Sequence, residues 1–577
     1  MPNSSALSSA RSSAPLSSPR LRSVLVLGGI LAFVLSACSG IPRDGSVQPG
    51  QADIPGNDSA PVFLPSGPQN DAGMEEILRG FIDAASSPDS SYDIARDFLA
   101  PAYSDDWNPD AGVTVDDGTG RAFTVLDDDT IEFSVRPVAE VDASGQYREI
   151  GSSEPVALPY QFVRVDGQWR ISSAPDGTVI DSTTFSDVFS EQALYFFDPS
   201  YTWLVPDLRW FPRGAAAPTK IVRAVLAGPS SWLGTAVTTA FPPGTALNAD
   251  AVRIVGLDAQ VDLNNQALGA DRVALQRMNA QLTASLPAGT GVTITIDQNS
   301  QAIGALGDNA PIRNPRIDAR ALILRNAQFG LLAASGDAVS PLPDLSDAVV
   351  ALNPTAVTVA AGHRRAAVLT GSGVFAVAAG EDPLLLDSRV GLIAPSIDTD
   401  NFIWTVPAAQ PNDIIVYDPS GAATSIQSPW PEAASITSLE VSRDGTRLVA
   451  LLSTGTETRF VVAAIERSNL APVAVDAPLL LATNDGVPLD ATWIDELTVA
   501  SLSRLPSGEE RIVAQRIGGE SVRLNAPDAS VTIVGSNSVR DLRALTTDGS
   551  LTLQRGVGWQ ERLDGVALLA TQQGIGG

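Results

Sequence analysis

The chain has 577 residues, with 37 Lys and Arg against 65 Asp and Glu, one His and one Cys, and a formal net charge of −28. Nucleic-acid affinity comes mainly from Lys and Arg on phosphates, so this balance argues against a nucleic-acid partner and against lying flat on anionic lipid. A lone Cys excludes an internal disulfide, and a lone His excludes multi-histidine zinc sites.

Arg11, Arg20 and Arg22 precede an apolar run from Val24 to Leu35, which ends in Leu35-Ser36-Ala37-Cys38. A basic start, a short apolar core and a small-residue cleavage site form an export signal. The core is about a dozen residues, short of the roughly 18 that a spanning helix needs. Leucine, two small residues and cysteine match a bacterial lipobox. This predicts a cleaved signal over 1–37 and an S-diacylglycerol, N-acylated Cys38 that anchors the chain to the cell membrane on its extracytoplasmic face. Two or three acyl chains give stable anchoring where one is marginal. The alternative is a plain secretory signal with an incidental cysteine. Residues 38–71 are rich in Gly, Pro, Ser, Asp and Asn without periodicity and read as a flexible tether.

Structure is predicted to begin at Met74. Met74, Ile77, Leu78, Phe81, Ile82 and Ala85 fall on one helical face. A second short helix is expected from Ser91 to Leu99, then strands near Ile131, Tyr160 and Trp169, with Asp166-Gly167 as a hairpin turn. Helices followed by a curved antiparallel sheet predict an α+β domain over 72–190, of an NTF2-like type. A second, α/β domain is placed at 191–305. It has strands at Tyr195 and Trp203, a helix stopped at Gly228-Pro229, and strands near Val252 and Val261. A helix through Leu275 and Leu286 and the alternating strand Val292-Thr-Ile-Thr-Ile complete it.

Several segments of this second domain, in order, resemble the GerMN domain. They are Leu204-Val-Pro, Ala224-Val-Leu-Ala-Gly-Pro, Ala240-Phe-Pro-Pro-Gly-Thr, Val261-Asp-Leu and Gln281-Leu-Thr-Ala-Ser-Leu. With the lipobox, Ser39-Gly-Ile-Pro and Trp210-Phe-Pro, the whole resembles the actinobacterial LpqB lipoprotein family. One lysine, Lys220, against 36 arginines also fits a GC-rich actinobacterial gene.

Residues 315–577 read as all-β. Leu439-Glu-Val-Ser-Arg-Asp-Gly-Thr-Arg-Leu-Val-Ala-Leu-Leu is strand, turn, strand. Weaker echoes start at Ala394, Ala491 and Leu545, a spacing of roughly 45–55 residues that suits propeller blades. Periodicity alone also admits a pair of β-sandwiches; the resemblance implies a C-terminal β-propeller.

The chemical inventory is thin. A Ser-His-Asp triad would have to use His363, which sits in Gly362-His-Arg-Arg and reads as a solvated loop residue. Asp127-Asp128-Asp129 lacks the spacing of a calcium loop and reads as a charged turn, as do Asp105-Asp106 and Asp116-Asp117-Gly118. No dinucleotide or phosphate-loop fingerprint is present. Trp203, Trp210, Phe211 and Trp232 form an exposed-looking aromatic group, whereas Trp404, Trp430, Trp493 and Trp559 are expected in the propeller core. We therefore expect no catalytic residues, no cofactor and no metal, with Cys38 as the one site residue.

The resemblance implies a non-enzymatic lipoprotein that binds the extracytoplasmic domain of an MtrB-type sensor kinase. It would modulate MtrA–MtrB signalling in cell-wall homeostasis and division. The alternative is an envelope-polysaccharide or peptidoglycan binder, or a propeller glycosidase. Surface aromatics and two facing carboxylates on one propeller face would mark it.

Overall fold

The first helix, α1 (Met74–Ala85), forms where the apolar spacing predicts and buries Ile77, Leu78, Phe81 and Ile82. Its start is held by the Glu76 carboxylate, which accepts the Gly73 N–H at 3.0 Å. The computed structural model describes residues 65–574 except 89–91, 152–153 and 335. The signal, Cys38 and nearly all of the tether lie outside the described residues.

The helix expected from Ser91 to Leu99 is only one turn, α2 (Asp93–Arg96). The chain leaves the helix because its backbone is drawn into a sheet. Ala100 N–H donates to Ile171 O at 2.7 Å, and Ile171 N–H donates to Phe98 O at 3.0 Å.

Eight strands follow: β1 (Gly112–Asp116), β2 (Ala122–Asp127), β3 (Thr130–Val135), β4 (Pro137–Asp142), β5 (Tyr147–Glu149), β6 (Val156–Val165), β7 (Gln168–Ser173) and β8 (Thr178–Asp181). They make two sheets rather than the single antiparallel one expected. One has the order β2-β3-β6-β7; the other is β5-β4-β1-β8, with β1 and β8 parallel. The switch comes between β3 and β4, where Pro137 has no N–H to continue the first ladder. Asp166 and Gly167 form the two-residue turn between β6 and β7, both with positive φ (51° and 81°), as a type I′ hairpin requires. Sheet one and α1 share a core of Phe81, Trp107, Phe133, Tyr160 and Ile171.

A short helix, α3 (Ser182–Val188), is capped by Asp181, which accepts from Thr183 N and Thr184 N at 3.1 and 3.0 Å. It leads straight into β9 (Phe189–Phe197), which pairs over its whole length with β10 (Leu204–Pro212). The second domain adds α4 (Ala217–Ala227), β11 (Arg253–Val255), β12 (Asp258–Leu263), α5 (Arg272–Ser285), β13 (Gly291–Ile296) and β14 (Asn299–Ser300). Its sheet order is β11-β12-β13-β14, with β12 and β13 parallel. Helix α4 ends at Gly228, whose φ of 102° suits a residue without Cβ.

From Leu322 to Gln572 the described residues form six blades, five of four strands and one, the fourth, of five. The inner strands of blades two to six are Ala356–Val359, Ser396–Ile397, Ser435–Val441, Val487–Trp493 and Ser530–Val534. Blade one takes its inner strand from the far end of the chain. Val566–Gln572 pairs antiparallel with Leu322–Arg325 and touches blade two in parallel at Thr358 and Val359. The ring is thus closed by the last strand.

The inner strands recur at shorter and less even intervals than the sequence echoes suggested. Three of those echoes lie on inner-to-second-strand turns, but Leu545-Thr-Thr-Asp-Gly-Ser-Leu spans the second and third strands of blade six. Blade four is the long one, because its third strand Thr458–Ser468 serves two outer partners, Ala471–Val475 and Leu479–Leu481.

Candidate functional site

Two places gather side chains from distant parts of the chain. The first is the junction of the three domains, built around Trp210 on β10. Its ring is buried against Tyr147 and Phe185 of the first domain, at centroid distances of 5.3 and 5.0 Å. Its backbone N–H donates to Gly145 O at 2.8 Å, and its indole Nε1–H donates to Gly518 O in blade five at 3.0 Å. Both glycines have positive φ, and a Cβ on either would meet backbone oxygen of β10 at 2.8 Å.

Further bonds fasten the same junction. Tyr195 Oη–H donates to Glu496 Oε1 at 2.7 Å, and Asn314 N–H donates to the other oxygen at 2.8 Å. Arg516 pairs with Glu191, and Ser521 N–H donates to Glu149 Oε1 at 2.7 Å. Lys220 reaches Asp110 across the first two domains at 2.9 Å. The described residues accordingly make one compact unit.

The second place is a cup of about 390 Å³ on the propeller axis, lined by residues of all six inner strands or the turns entering them. Its walls carry Thr355, Ser396, Thr437, Ser438 and Thr532 with Ala356, Leu489 and Ala567. Two acids reach it, Glu440 from blade four and Asp490 from blade five, and none of the lining residues is Lys, Arg or His. The inner-to-second-strand turns close the opposite end. There Arg443 donates to Pro315 O at 3.4 Å, Ile494 O at 3.0 Å and Ser536 O, and Gln573 Nε2–H donates to Val441 O at 3.4 Å.

Asp490 is committed to its neighbours. Oδ1 accepts from Ser438 Oγ at 2.7 Å and Ala491 N at 2.9 Å, while Oδ2 accepts from Ile533 N at 2.9 Å. One carboxyl thus ties three blades, although burial holds its pKa up at about 6. Glu440 accepts the Trp493 N–H at 3.2 Å. Burial pushes its pKa up to about 8; the Asp490 charge adds to this, while the Thr492 hydroxyl and Arg443 oppose it.

A raised acid keeps its proton in the fold and loses it in the unfolded chain. Stability from this source is full below the ordinary carboxyl pKa and is lost as pH rises toward 8. Glu440→Gln should therefore match the wild type in thermal midpoint near about pH 5 and exceed it by a few degrees, roughly 3–8 °C, at about pH 8. A midpoint difference that does not change with pH would rule this out.

The residues singled out from the sequence are scattered. His363 ends a single 3-10 turn (Ala361–His363) on blade two and is half-buried rather than fully solvated. Asp127 and Asp129 sit on an exposed turn between β2 and β3, where Asp127 Oδ1 accepts the Asp129 N–H at 3.2 Å. Among the described residues no group of three or more His, Cys, Asp or Glu is arranged to hold a metal ion.

Asp116 is not a solvated turn residue. It is fully buried and takes two 2.7 Å bonds from Arg121, whose pairing the short spacing hid. Trp210 is buried at the domain junction and Trp232 packs against propeller residues, while Phe211 lies in the second domain's own core and Trp203 is half-buried, so this aromatic group is not an exposed surface. Trp404, Trp430 and Trp493 are core residues; Trp559 is only half-buried and bonds Asn525 O at 2.7 Å. Glu440 and Asp490 escaped notice in the sequence because each is one acid among 65. Only their alternation on inner strands beside Ser438 and Thr492 marks them.

Among the described residues no helix is long and apolar enough to cross a membrane. Residues 67–186 match the family model described as lipoprotein LpqB, N-terminal domain. Residues 193–302 match that for sporulation and spore germination (Germane), and 330–568 match the lipoprotein LpqB beta-propeller domain. A protein of Cutibacterium acnes named lipoprotein LpqB is 24% identical over 602 residues, covering 96% of this chain and 99% of its own. One of Rhodococcus opacus with the same name is 26% identical, covering 92% and 94%. One of Bifidobacterium longum is 31% identical over a shorter stretch, 42% and 45%. Among solved structures, TolB from Acinetobacter baumannii is 15% identical with a TM-score of 0.32, over 44% of this chain and 66% of that one. Two LpqB domain models in their proper order, with the Germane domain between them and relatives matched over nearly their full length, place the chain in the lipoprotein LpqB family.

Proposed function

We propose that this chain is a non-enzymatic lipoprotein, anchored by acyl groups on Cys38 at the extracytoplasmic face of the cell membrane. It binds the sensor domain of an MtrB-type histidine kinase and so modulates MtrA–MtrB signalling in cell-wall homeostasis and division. Such a role needs only unequal affinity for the kinase's states. The observation that supports a protein partner is the outer edge of the second domain. Strand β11 is a sheet edge, and Ile254, Val255 and Leu257 on and beside it are 45%, 63% and 71% exposed. An apolar strand with free backbone N–H and C=O groups suits pairing with a strand of another protein.

The polymer-binding reading has one observation in its favour, the two carboxyls of the cup. No aromatic side chain lines that cup, and Asp490 is already bonded by three donors, which leaves no stacking platform for a sugar and no free nucleophile.

Calorimetry on the full chain in detergent, with the same organism's MtrB-type sensor domain in one cell and wall fragments in the other, separates the two readings. We expect micromolar or tighter binding to the sensor domain, weakened about tenfold or more by Val255→Asp with Leu257→Asp. Binding to wall fragments alone would overturn the signalling role.

A further inference from the structure

We propose that the axial cup of the propeller binds a primary ammonium group, carried by a small amine or by a peptide, and holds it beside the carboxyls of Glu440 and Asp490. The cup is a chamber of about 390 Å³, the size of a short side chain with its attached backbone rather than of a folded partner. Six blades converge on it, and among its lining residues the charge is of one sign. Its remaining hydroxyl groups, on Thr355, Thr437 and Thr532, supply oxygens able to accept hydrogen bonds from an ammonium. An ammonium has three donors and no acceptor, so an acid pair ringed by hydroxyls satisfies it, whereas a phosphate or carboxylate would meet repulsion.

The groups facing Glu440 fix what binding must do. Asp490 lies on the neighbouring inner strand, and the Thr492 hydroxyl and the Trp493 N–H touch the carboxyl. Arg443 lies below, its guanidinium held by the carbonyls of Pro315, Ile494 and Ser536 and outside the cup's lining. With no cation above it, Glu440 keeps its proton up to about pH 8. An arriving ammonium pairs with the ionised carboxylate, so the carboxyl proton passes to solvent. The neutral acid and the ammonium ion become an ion pair plus one proton taken by the buffer. For an alkyl or lysine ammonium, which stays charged through this range, affinity should therefore rise with pH up to about 8 and level off above it, with release of about one proton per ammonium near neutrality; a peptide terminus, with its own pKa of about 8, should lose affinity above that pH.

The test uses the full chain in detergent and isothermal calorimetry in two buffers of unlike ionisation enthalpy. Propylammonium represents a free amine, Nα-acetyl-lysine methylamide a lysine side chain and glycylglycine amide a peptide terminus; propanol is the neutral control. We expect at least one ammonium probe to bind with Kd on the order of 1 mM or tighter, with proton release, and propanol not to bind. Whichever ammonium binds tightest identifies the source. Glu440→Gln should weaken that probe about tenfold or more. Ala567→Arg, at an exposed position on the lining, should do the same by repulsion without touching the carboxyls. No ammonium binding, equal binding of propanol, binding without proton release, or affinity unchanged in both variants would each overturn the proposal.

Discussion

Trp210→Ala is expected to loosen all three domains at once. The substitution removes a large ring from between Tyr147, Phe185 and Phe189, and it leaves Gly518 O without its donor. Large-to-small changes of this kind cost about 3–5 kcal/mol, and a buried acceptor left unpaired adds to that. A chain of several domains has no single unfolding free energy, so the readout is the thermal midpoint, which should fall on the order of 5–10 °C. Limited proteolysis should show new cuts between the first domain and the propeller. Trp210→Phe keeps most of the ring packing and loses only the Nε1–H bond, so its effect should be a fraction of the alanine effect. A Trp210→Ala chain that melts with the wild type and resists protease equally would remove the junction from its central place.

Asp444→Ala should be comparably severe by a different route. Asp444 sits in the turn between the first two strands of blade four, almost fully buried, and pairs with Arg447, whose side chain has no exposure. Its Oδ1 also accepts from Ser442 Oγ at 2.7 Å and Thr446 N at 3.0 Å. Arg447 then lies 5.1 Å over the Trp493 ring and donates to Glu496 O at 2.9 Å. Removing one member of a buried pair strands the other charge, at a cost of about 3–5 kcal/mol. Replacing both, with Arg447→Met added, should recover much of that loss, because no charge is left to desolvate. Burial pushes the carboxyl's pKa up, but the Arg447 charge and the bonds from Thr446 and Ser442 together outweigh it and hold the pKa below its usual value, so its contribution is present near neutral pH and fades on acidification. Equal melting of the single and double variants would show that the charge pair is not what matters there.

Local features of this fold could be read from the residues, and distant ones could not. The apolar spacing of α1, the Asp166-Gly167 turn and the Gly228-Pro229 stop depend on neighbours within a few positions, and each stands where it was expected. Trp210 was misplaced because the partner of its Nε1 lies 308 residues away, and an aromatic that closes a domain junction has the same sequence signature as one that faces water. Asp116 and Arg121 are only five apart, yet Asp116 is buried on β1, which stands between β4 and β8 in its sheet, a position that local spacing does not reveal. The cup was hidden for a further reason. It belongs to no segment, and exists only once six inner strands stand around one axis.

The closing of that ring by Val566–Gln572 also sets a clock. A chain made from its N-terminus grows at roughly 5–20 residues per second, so Leu322–Arg325 waits roughly 10–50 s for its inner neighbour. Until then Leu322 and Ile323, fully covered in the finished molecule, lie on an open sheet edge. A product truncated before Val566 would then carry an unsealed ring, marked for proteolysis by its own exposed strand.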